Sequence, residues 1–271
     1  MNLPVPSPTL PESAPGFRIN ALTGAATGSS RALSGPLSAE ITAALAASET
    51  GEVAVRSVDV NLPLLEKNDI LAERNRGYFL GRGLAALNLV SSPGAGKTTL
   101  LERTLDEFGR ETHCAVLVGD LATDNDGERL SRPHAPVAQI TTGTVCHLDA
   151  GMIARAAQSI NLDGVRVLFI ENVGNLVCPA SFDLGEQARV VLLSATEGED
   201  KPLKYPPIFK SADVVLLTKV DVADLLGFKR ELAVANIRRI APQAKIIQLS
   251  SRTGEGLPEW YDYLRTLVAR V

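Results

Sequence analysis

The chain has 271 residues, of which 45% are hydrophobic and 21% are charged, and its formal net charge is −4. This acidity argues against a nucleic-acid-binding groove, and no apolar run reaches the roughly 18 residues that a membrane span needs. The first residues, MNLPVPSPTLPESAPGF, lack the basic start and apolar core of a signal peptide, so we expect a cytoplasmic protein. Cys114, Cys146 and Cys178 cannot all pair, which favours metal binding or catalysis over disulfides.

The first 50 residues are rich in Pro, Ser, Gly, Ala and Thr. Such a segment buries too little apolar surface to offset the entropy lost on ordering. We therefore predict a disordered or weakly structured tail over residues 1–58, in which 37–49 has the pattern of a short, weak helix. From residue 59 apolar side chains recur at helical spacing, which predicts a helix over 59–83 that ends at two glycines.

The rest of the chain alternates strands with helices. Continuous runs of Val, Leu and Ile, separated by helical segments, are typical of strands that are buried on both faces. The pattern predicts one α/β domain over 59–271, with a mostly parallel central sheet flanked by helices. The predicted strands cover 86–90, 114–120, 165–173, 188–195, 213–221 and 245–251, and the predicted helices cover 97–108, 147–160, a segment between the last two strands, and 258–271.

The stretch SSPGAGKTTL (91–100) lies between a predicted strand and a predicted helix, which is the context of a P-loop. Its glycines would let the backbone approach phosphates, and the amides at the helix start would face the anion. Lys97 would reach the β- and γ-phosphates, and Thr98 would place its hydroxyl on Mg²⁺. Ser91 stands where the general pattern has Gly. The predicted phosphate-binding residues are Gly94, Ala95, Gly96, Lys97, Thr98 and Thr99.

Two later motifs indicate the base. In LLTKVD (216–221), Asp221 can accept hydrogen bonds from the N1–H and exocyclic amine of guanine, while the stem of Lys219 packs on the base plane. Thr218 replaces the Asn of the general guanine motif. LSSRTGEG (249–256) follows the next strand, where backbone amides near Ser251 and Arg252 would bind the guanine O6. ATP is the alternative, but adenine does not offer these donors to the carboxylate.

Acidic residues follow two strands at the predicted nucleotide crevice. Asp120 and Glu171 each end a strand, and Gly174 would let an amide approach the γ-phosphate. Asp126 is better explained as a helix-capping residue, and Asp124 stays open. The predicted catalytic residues are Lys97, Asp120 and Glu171, and the predicted Mg²⁺ ligands are Thr98, Asp120 and Glu171. Neither a water-positioning Gln nor an arginine finger can be assigned, so we expect slow turnover with Asp120 or Glu171 orienting water.

Cys146 and His147 are adjacent in TGTVCHLDAG (142–151), and Cys178 follows the Glu171 strand by a few residues. Cys146 is placed by the pattern at the start of a helix, where the pKa of a thiol is lowered. Two thiolates and one imidazole make an incomplete soft site that suits Zn²⁺ or Ni²⁺.

The alternative for any single cysteine is a small buried hydrophobic residue. That alternative fits Cys114, which lies inside a strand, but not Cys178 next to Pro179. His113 and His134 are expected to be solvated loop residues.

Taken together, five stretches closely resemble the nickel-incorporation GTPases of nickel–iron hydrogenase maturation, the HypB family. They are RNRGYFLGRGLAALNLVSSPGAGKTTLLERTL, VGDLATDNDGERL, TTGTVCHLDAGMI, FIENVGNLVCPASFDLGE and LLTKVD, and the likeness runs from about residue 59 to the end of the chain. Ser91 is what the P-loop of that family has.

The resemblance implies a P-loop NTPase of the SIMIBI class that hydrolyses GTP, uses Mg²⁺ and forms a GTP-dependent homodimer. Cys146, His147 and Cys178 match the residues of that family that bind Ni²⁺ or Zn²⁺ at the dimer interface. The implied partners are the small nickel-delivery chaperone HypA and the hydrogenase large-subunit precursor. Some members carry an N-terminal Cys-rich nickel motif or a His-rich storage tail, but this chain has neither Cys nor His before His113. What the first 50 residues do instead cannot be inferred.

Two other functions compete. A urease-maturation GTPase belongs to the same class, but its motif centres on Cys-Pro-His, whereas Cys146 and His147 are contiguous here. A P-loop kinase or phosphotransferase without metal delivery would need a pocket for a substrate hydroxyl and would have no use for Cys178. A metal titration separates the metallochaperone from the kinase.

Overall fold

The computed structural model describes residues 18–21, 61–120, 125–131 and 135–271. The eight strands in these ranges form one sheet with the spatial order β1-β4-β3-β5-β2-β6-β7-β8. The strands are β1 (Arg18–Ala21), β2 (Ala85–Ser91), β3 (Cys114–Asp120), β4 (Val137–Thr141), β5 (Val167–Glu171), β6 (Ala188–Ser194), β7 (Val214–Thr218) and β8 (Lys245–Gln248).

Helices connect the strands and cover both faces of the sheet. In the described ranges they are α1 (Asn61–Gly81), α2 (Lys97–Glu107), α3 (Asn125–Ser131), α4 (Ala150–Gln158), α5 (Lys201–Lys204), α6 (Pro206–Lys210), α7 (Arg230–Ile240) and α8 (Leu257–Val268). Three short 3₁₀ turns are added at Phe108–Arg110, Cys178–Ser181 and Val220–Val222. None of the described helices combines the length and the apolar character needed to cross a membrane.

The seven strands β2–β8 are all parallel, and β1 joins the edge strand β4 in the antiparallel direction. The predicted α/β class with a mostly parallel sheet is therefore confirmed. Strand β2 lies in the centre, between β5 and β6, and its seven residues are all buried. Because the carboxyl ends of parallel strands lie at one edge, the loops after β2, β3, β5 and β7 meet there.

The core is built on both faces of the sheet. On one face α2 and α8 pack against β2, and the fully buried Trp260 donates a hydrogen bond from Nε1 to Thr104 Oγ1 at 3.1 Å. On the other face α1 and α4 contribute Phe79 and Ile153 to a second apolar cluster. Helices α6 and α7 cover β6 and β7. A crevice at the carboxyl edge is thus fixed by a rigid, close-packed scaffold.

Several boundaries differ from the sequence prediction. Strand β4 was not predicted because it is only five residues long and has the polar Gln139 at its centre. Helix α3 was not predicted because it lies in a charged stretch that resembles a loop. Strand β1 lies within the predicted tail, where its partner β4 supplies the hydrogen-bonding edge that a lone segment lacks. The rest of that tail, including 37–49, lies outside the described residues, so the domain division remains a prediction.

Candidate functional site

The P-loop between β2 and α2 has the backbone that its glycines permit. Gly94 and Gly96 have φ angles of 74° and 99°, in the left-handed region that side chains with a Cβ rarely adopt. Helix α2 begins directly after Gly96, at Lys97. The first amides of α2 are therefore directed into the crevice, where the helix dipole also favours an anion.

Ser91 has a defined role in this loop. The buried Lys97 donates from Nζ to Ser91 Oγ at 2.9 Å, and the Ser91 hydroxyl donates to the Ser92 carbonyl at 2.6 Å. A hydroxyl at position 91 thus orients the lysine. Thr218, which stands where the guanine motif has Asn, donates from Oγ1 to the Ala95 carbonyl at 2.8 Å and ties β7 to the P-loop.

A cleft of about 440 Å³ opens in front of this loop. Thr98 Oγ1 donates to Glu171 Oε1 at 2.7 Å, and the half-buried Asp120 lies on the same wall. Hydroxyl and carboxylate oxygens are the ligands that Mg²⁺ prefers, so these three residues fit a magnesium ion beside phosphates. The other lining residues are Pro93, Gly94, Gly96, Lys97, Thr99, Gly119, Arg129, Asn172, Val173, Gly174 and Lys219.

Gly174 lies against the P-loop, as its predicted approach to the γ-phosphate requires. A Cβ at this position would come within 3.0 Å of Pro93 Cα, a backbone contact that cannot easily move. A Cβ at this position would therefore require Pro93 or the segment after β5 to shift by a few tenths of an ångström.

A second pocket of about 250 Å³ adjoins the cleft and contains the predicted base-binding residues. The hydroxyl of Ser250 and the guanidinium of Arg252 hold the pKa of Asp221 below its usual range. Arg252 Nε donates to Asp221 Oδ2 at 2.9 Å, so a base that pairs with Asp221 must share or displace this contact. Lys219 adopts a φ of 57° and donates from Nζ to the Gly94 carbonyl at 2.7 Å, which joins the two pockets.

The structure brings together the three soft-metal ligands. Cys146 Sγ, Cys178 Sγ and a ring nitrogen of His147 all lie within 4.8 Å of one another, although Cys178 is 32 residues away in the chain from Cys146. The two thiols are free and lie 2.7 Å apart. Asn175, four residues after Glu171, donates from Nδ2 to the Cys146 carbonyl at 3.2 Å. One chain therefore brings together three donor atoms of the kinds that soft, tetrahedral metal sites use.

His147 is held in an apolar setting. Its ring stacks on Phe182, with centroids 3.9 Å apart, and its buried Nδ1 has no hydrogen-bond partner within the described part of the chain. Burial lowers the pKa of His147, against the opposite influence of the Asp149 carboxylate. A neutral imidazole is the form that binds a metal.

The expectation that a helix start activates Cys146 was wrong. Helix α4 begins at Ala150, with Asp149 as its N-cap accepting from the Met152 amide at 2.7 Å, so Cys146 precedes the helix by four residues. The hydrogen bond with Cys178 instead raises the pKa of the Cys146 thiol. A bound cation, rather than the helix dipole, would have to stabilise the thiolate.

Among the described residues, Cys114 and His113 do not join the cluster. Cys114 lies buried in β3, as the alternative for it proposed, and burial raises its pKa to about 12. His113 is exposed. His134 and Asp124 lie outside the described residues, and Asp126 lies within α3.

Sequence reasoning missed a set of buried polar residues between the two sites. They are Asn88, Asn172, Glu186 and Arg189, all less than 9% exposed. The available signal was Asn88, a single amide inside the otherwise apolar strand ALNLV, and it was passed over because the strand as a whole is apolar.

Comparison with known proteins places residues 85–248 in the family described as "CobW/HypB/UreG, nucleotide-binding domain". The chain is 52% identical to the hydrogenase maturation factor HypB of Escherichia coli K12 over 211 residues, which cover 78% of this chain and 73% of that protein. Its fold is similar to that of HypB from Archaeoglobus fulgidus, with a TM-score of 0.71, 41% identity and coverage of 75% of this chain and 99% of the other. HypB from Helicobacter pylori, crystallised in complex with nickel, gives a TM-score of 0.72 at 39% identity, over 75% of this chain and 96% of the other.

Proposed function

The chain belongs to the HypB family of hydrogenase maturation factors, and from this we propose that it is a GTP-hydrolysing nickel metallochaperone that helps insert nickel into the nickel–iron hydrogenase large-subunit precursor. The observation that carries the proposal is the cluster of Cys146, His147 and Cys178, whose ligand atoms lie within 4.8 Å. Nickel is the cargo, and zinc can occupy the same donors because both suit thiolate and imidazole ligands. The nickel complex of the Helicobacter pylori relative supports this assignment.

GTP is the proposed nucleotide. Asp221 lies in the pocket next to the P-loop with its pKa lowered, so its carboxylate is ionised and can accept the two donors of guanine. Lys219 packs alongside, and Ser251 and Arg252 complete the wall of the pocket. The phosphates then extend over Gly94, Ala95, Gly96, Lys97, Thr98 and Thr99.

Hydrolysis is assigned to the residues of the cleft. Lys97 neutralises charge on the phosphates, and Asp120 or Glu171 orients the attacking water. Thr98, Asp120 and Glu171 would hold Mg²⁺, which would neutralise negative charge on the phosphates. Gly174 lines the cleft beside Pro93, and we propose that the segment after β5 responds through it to the presence of a γ-phosphate.

Dimerisation is proposed to complete the metal site. Three ligands from one chain leave a tetrahedral shell with one open position, which a second copy can close. Val177, next to Cys178, is 62% exposed, so an apolar side chain beside the cluster is accessible to a second copy. We propose that GTP closes the dimer around the metal and that hydrolysis reopens it.

The partners follow from the family. We propose that HypA delivers nickel to this chain and that the large-subunit precursor receives it. The three free thiols suit a reducing compartment, and on this ground we propose a cytoplasmic location. The domain division into a tail (1–58) and a GTPase domain (59–271) belongs to the same proposal.

Metal analysis combined with size-exclusion chromatography tests the proposal. The protein is loaded with Ni²⁺ and run with a non-hydrolysable GTP analogue, with GDP, and without nucleotide. We expect a dimer with bound nickel in the GTP-analogue state and less nickel with GDP. The variant Cys146→Ala/Cys178→Ala should lose the nickel, while Cys114→Ala, which removes a thiol outside the cluster, should keep it.

Two results separate the competing functions. Equal nickel binding by the double cysteine variant and the wild type would contradict metal delivery and favour a kinase-type enzyme. Stimulation of urease maturation but not of hydrogenase maturation, in extracts that lack each factor, would favour the urease alternative.

A further inference from the structure

A chain of buried polar side chains runs through the core beneath both sites. Asn88 lies in the middle of β2 and is fully buried between Leu87 and Leu89. A buried amide is costly unless it is hydrogen-bonded. Asn88 Nδ2 donates to Glu186 Oε1 at 3.1 Å, and Asn88 Oδ1 accepts from Asn172 Nδ2 at 3.2 Å. Through Asn88, strand β2 thus links Asn172, which follows the neighbouring strand β5, to Glu186, which precedes the neighbouring strand β6.

One end of this chain reaches the phosphate cleft and the Cys146 segment. Asn172 directly follows Glu171 and lines the cleft. Its Oδ1 accepts from the amides of Val173 at 3.0 Å and of Leu148 at 3.3 Å. Leu148 follows His147 in the chain. Asn172 therefore joins the wall of the nucleotide cleft to the loop that carries two of the three metal ligands.

The other end holds the segment that carries the third ligand. Arg189 donates to Glu186 Oε1 from Nε at 2.9 Å and from Nη2 at 2.8 Å. Its Nη2 also donates to the Phe182 carbonyl at 2.8 Å, and its Nη1 reaches the Ala180 carbonyl at 3.4 Å. Ala180 lies in the 3₁₀ turn that starts at Cys178, and Phe182 is the ring on which His147 stacks.

Stability alone does not account for such a chain. Replacing a buried ion pair by apolar side chains of similar volume is often neutral or stabilising, so the Glu186–Arg189 pair is weak evidence for a stabilising role. What directional bonds provide is a fixed relative position of the groups they join. Here they join the cleft wall at Asn172 to both segments that carry metal ligands.

We propose that Asn172, Asn88, Glu186 and Arg189 form a positioning chain that couples nucleotide occupancy to the geometry of the metal cluster, with Asn88 as its central residue. This inference rests on the proposed function and names how the two sites of that function communicate. A shift of the segment after β5 on γ-phosphate binding moves Asn172. Asn172 passes the shift to Leu148 directly, whereas Asn88, Glu186 and Arg189 pass it to Ala180 and Phe182, so Asn88 sets how the Cys178 segment moves relative to Cys146. The spacing of Cys146 and Cys178 changes as a result.

The test measures the nickel dissociation constant of the full-length protein with a GTP analogue and with GDP. We expect a ratio of at least about fivefold for the wild type and of less than about twofold for Asn88→Ala, because the coupling factor is what the chain supplies. Nickel affinity without nucleotide, and nucleotide affinity without nickel, should change less than about threefold in the variant. The matched control is Asn236→Ala, which removes a half-buried amide that donates to the Glu199 carbonyl at 2.9 Å and touches no residue of the positioning chain, and it should keep the wild-type ratio.

Asn88→Asp is a second variant, whose side chain has nearly the same shape as Asn but whose donor to Glu186 becomes an acceptor. Its nickel affinity ratio tests the proposal if Asn88→Ala does not fold. Reduced coupling in a variant that still dimerises with the GTP analogue supports the proposal. Retention of the wild-type ratio in either folded variant overturns it, as does a loss of coupling that occurs together with a loss of dimerisation. A wild-type ratio of one would refute the nucleotide–metal coupling of the proposed function itself.

Discussion

The phosphate cleft and the metal cluster lie at the same edge of the sheet, but they are built in different ways. The cleft is formed by the backbone of the P-loop and by side chains directly at the ends of β3 and β5, so regular structure fixes it. The cluster is formed by two loops, with Cys146 four residues before a helix and Cys178 at the start of a 3₁₀ turn.

This difference bears on what each region can do. A site that is fixed by a parallel sheet is preorganised for charge stabilisation, whereas a site on two loops can change its geometry when one loop moves. Because the two regions are built separately, a substitution should be able to damage one of them and leave the other intact.

Lys97→Ala should remove the function of the cleft and leave the cluster intact. Lys97 Nζ lies 2.9 Å from Ser91 Oγ at the centre of the P-loop, and loss of one such charge-stabilising donor typically costs roughly 10²–10³-fold in rate. GTPase assays should show this loss, while nickel binding without nucleotide stays unchanged. Lys210→Ala, which removes an exposed lysine at the end of α6, is the control. Full GTPase activity in a folded Lys97→Ala protein would disprove the cleft assignment.

Cys178→Ala should have the reverse effect. Loss of one of three ligands should weaken nickel binding by more than about 100-fold, since even changes outside the ligand set cost 10–100-fold. Nucleotide affinity should stay within about twofold in the absence of metal, because the thiol does not line either nucleotide pocket. Isothermal titration with Ni²⁺ and with GDP measures both quantities. A parallel loss of GDP affinity would show that the two regions cannot be separated.

Asp221→Asn should change the base preference without weakening the phosphate contacts. The substitution reverses one donor–acceptor pair, and a charge-assisted hydrogen bond is worth about 1.5–3 kcal/mol, so guanosine nucleotides should bind about 10- to 100-fold more weakly. Xanthosine nucleotides should gain by a similar factor. The exposed Asp224→Asn serves as the control. An unchanged preference for guanosine would rule out Asp221 as the base-reading residue.

Cys114→Ala should have the smallest effect, a change in the pH dependence of the free energy of unfolding. This variant tests the packing of the sheet rather than either site. Burial raises the pKa of the Cys114 thiol from 9.0 to about 12, so the folded state holds this proton more tightly than the unfolded state. That contribution to stability is fully present below pH 9 and is lost as the pH rises towards 12. Between pH 9 and 11 the free energy of unfolding of the wild type should fall more steeply than that of Cys114→Ala, by up to about 1.4 kcal/mol per pH unit.

Urea unfolding at several pH values measures these slopes. Val116→Ala, a truncation of a buried residue in the same strand, should lower stability but keep the wild-type slope. Identical slopes for the wild type and Cys114→Ala would contradict the burial of the thiol.

The sequence predicted much of the cleft and less of the cluster, for a physical reason. The P-loop spacing fixes a local backbone, so Gly94, Gly96 and Lys97 could be placed from neighbouring letters alone. Strand ends placed Asp120 and Glu171, because parallel strands bring their carboxyl ends together. The P-loop spacing is a local signal, which can be read from consecutive residues. The strand ends are a signal of the whole sheet, which can be read from the order of the apolar runs.

The rest depends on contacts between distant residues. The approach of Cys178 to Cys146 involves contacts between distant residues, such as the hydrogen bond from Asn175 Nδ2 to the Cys146 carbonyl, which no local pattern encodes. The start of α4 was predicted three residues too early because Asp149, rather than His147, caps the helix. The pairing of β1 with β4 likewise needs a partner strand that lies more than a hundred residues away.

X-ray absorption at the nickel edge shows whether this cluster holds the metal and whether its geometry responds to the nucleotide. The nickel-loaded protein is measured with a GTP analogue and with GDP. We predict sulfur and imidazole scatterers around nickel in the GTP-analogue state, with sulfur scattering abolished in Cys146→Ala/Cys178→Ala and altered in the GDP state. Nickel surrounded only by oxygen and nitrogen, with the same spectrum for both nucleotides, would show that the cluster neither holds the metal nor responds to the nucleotide.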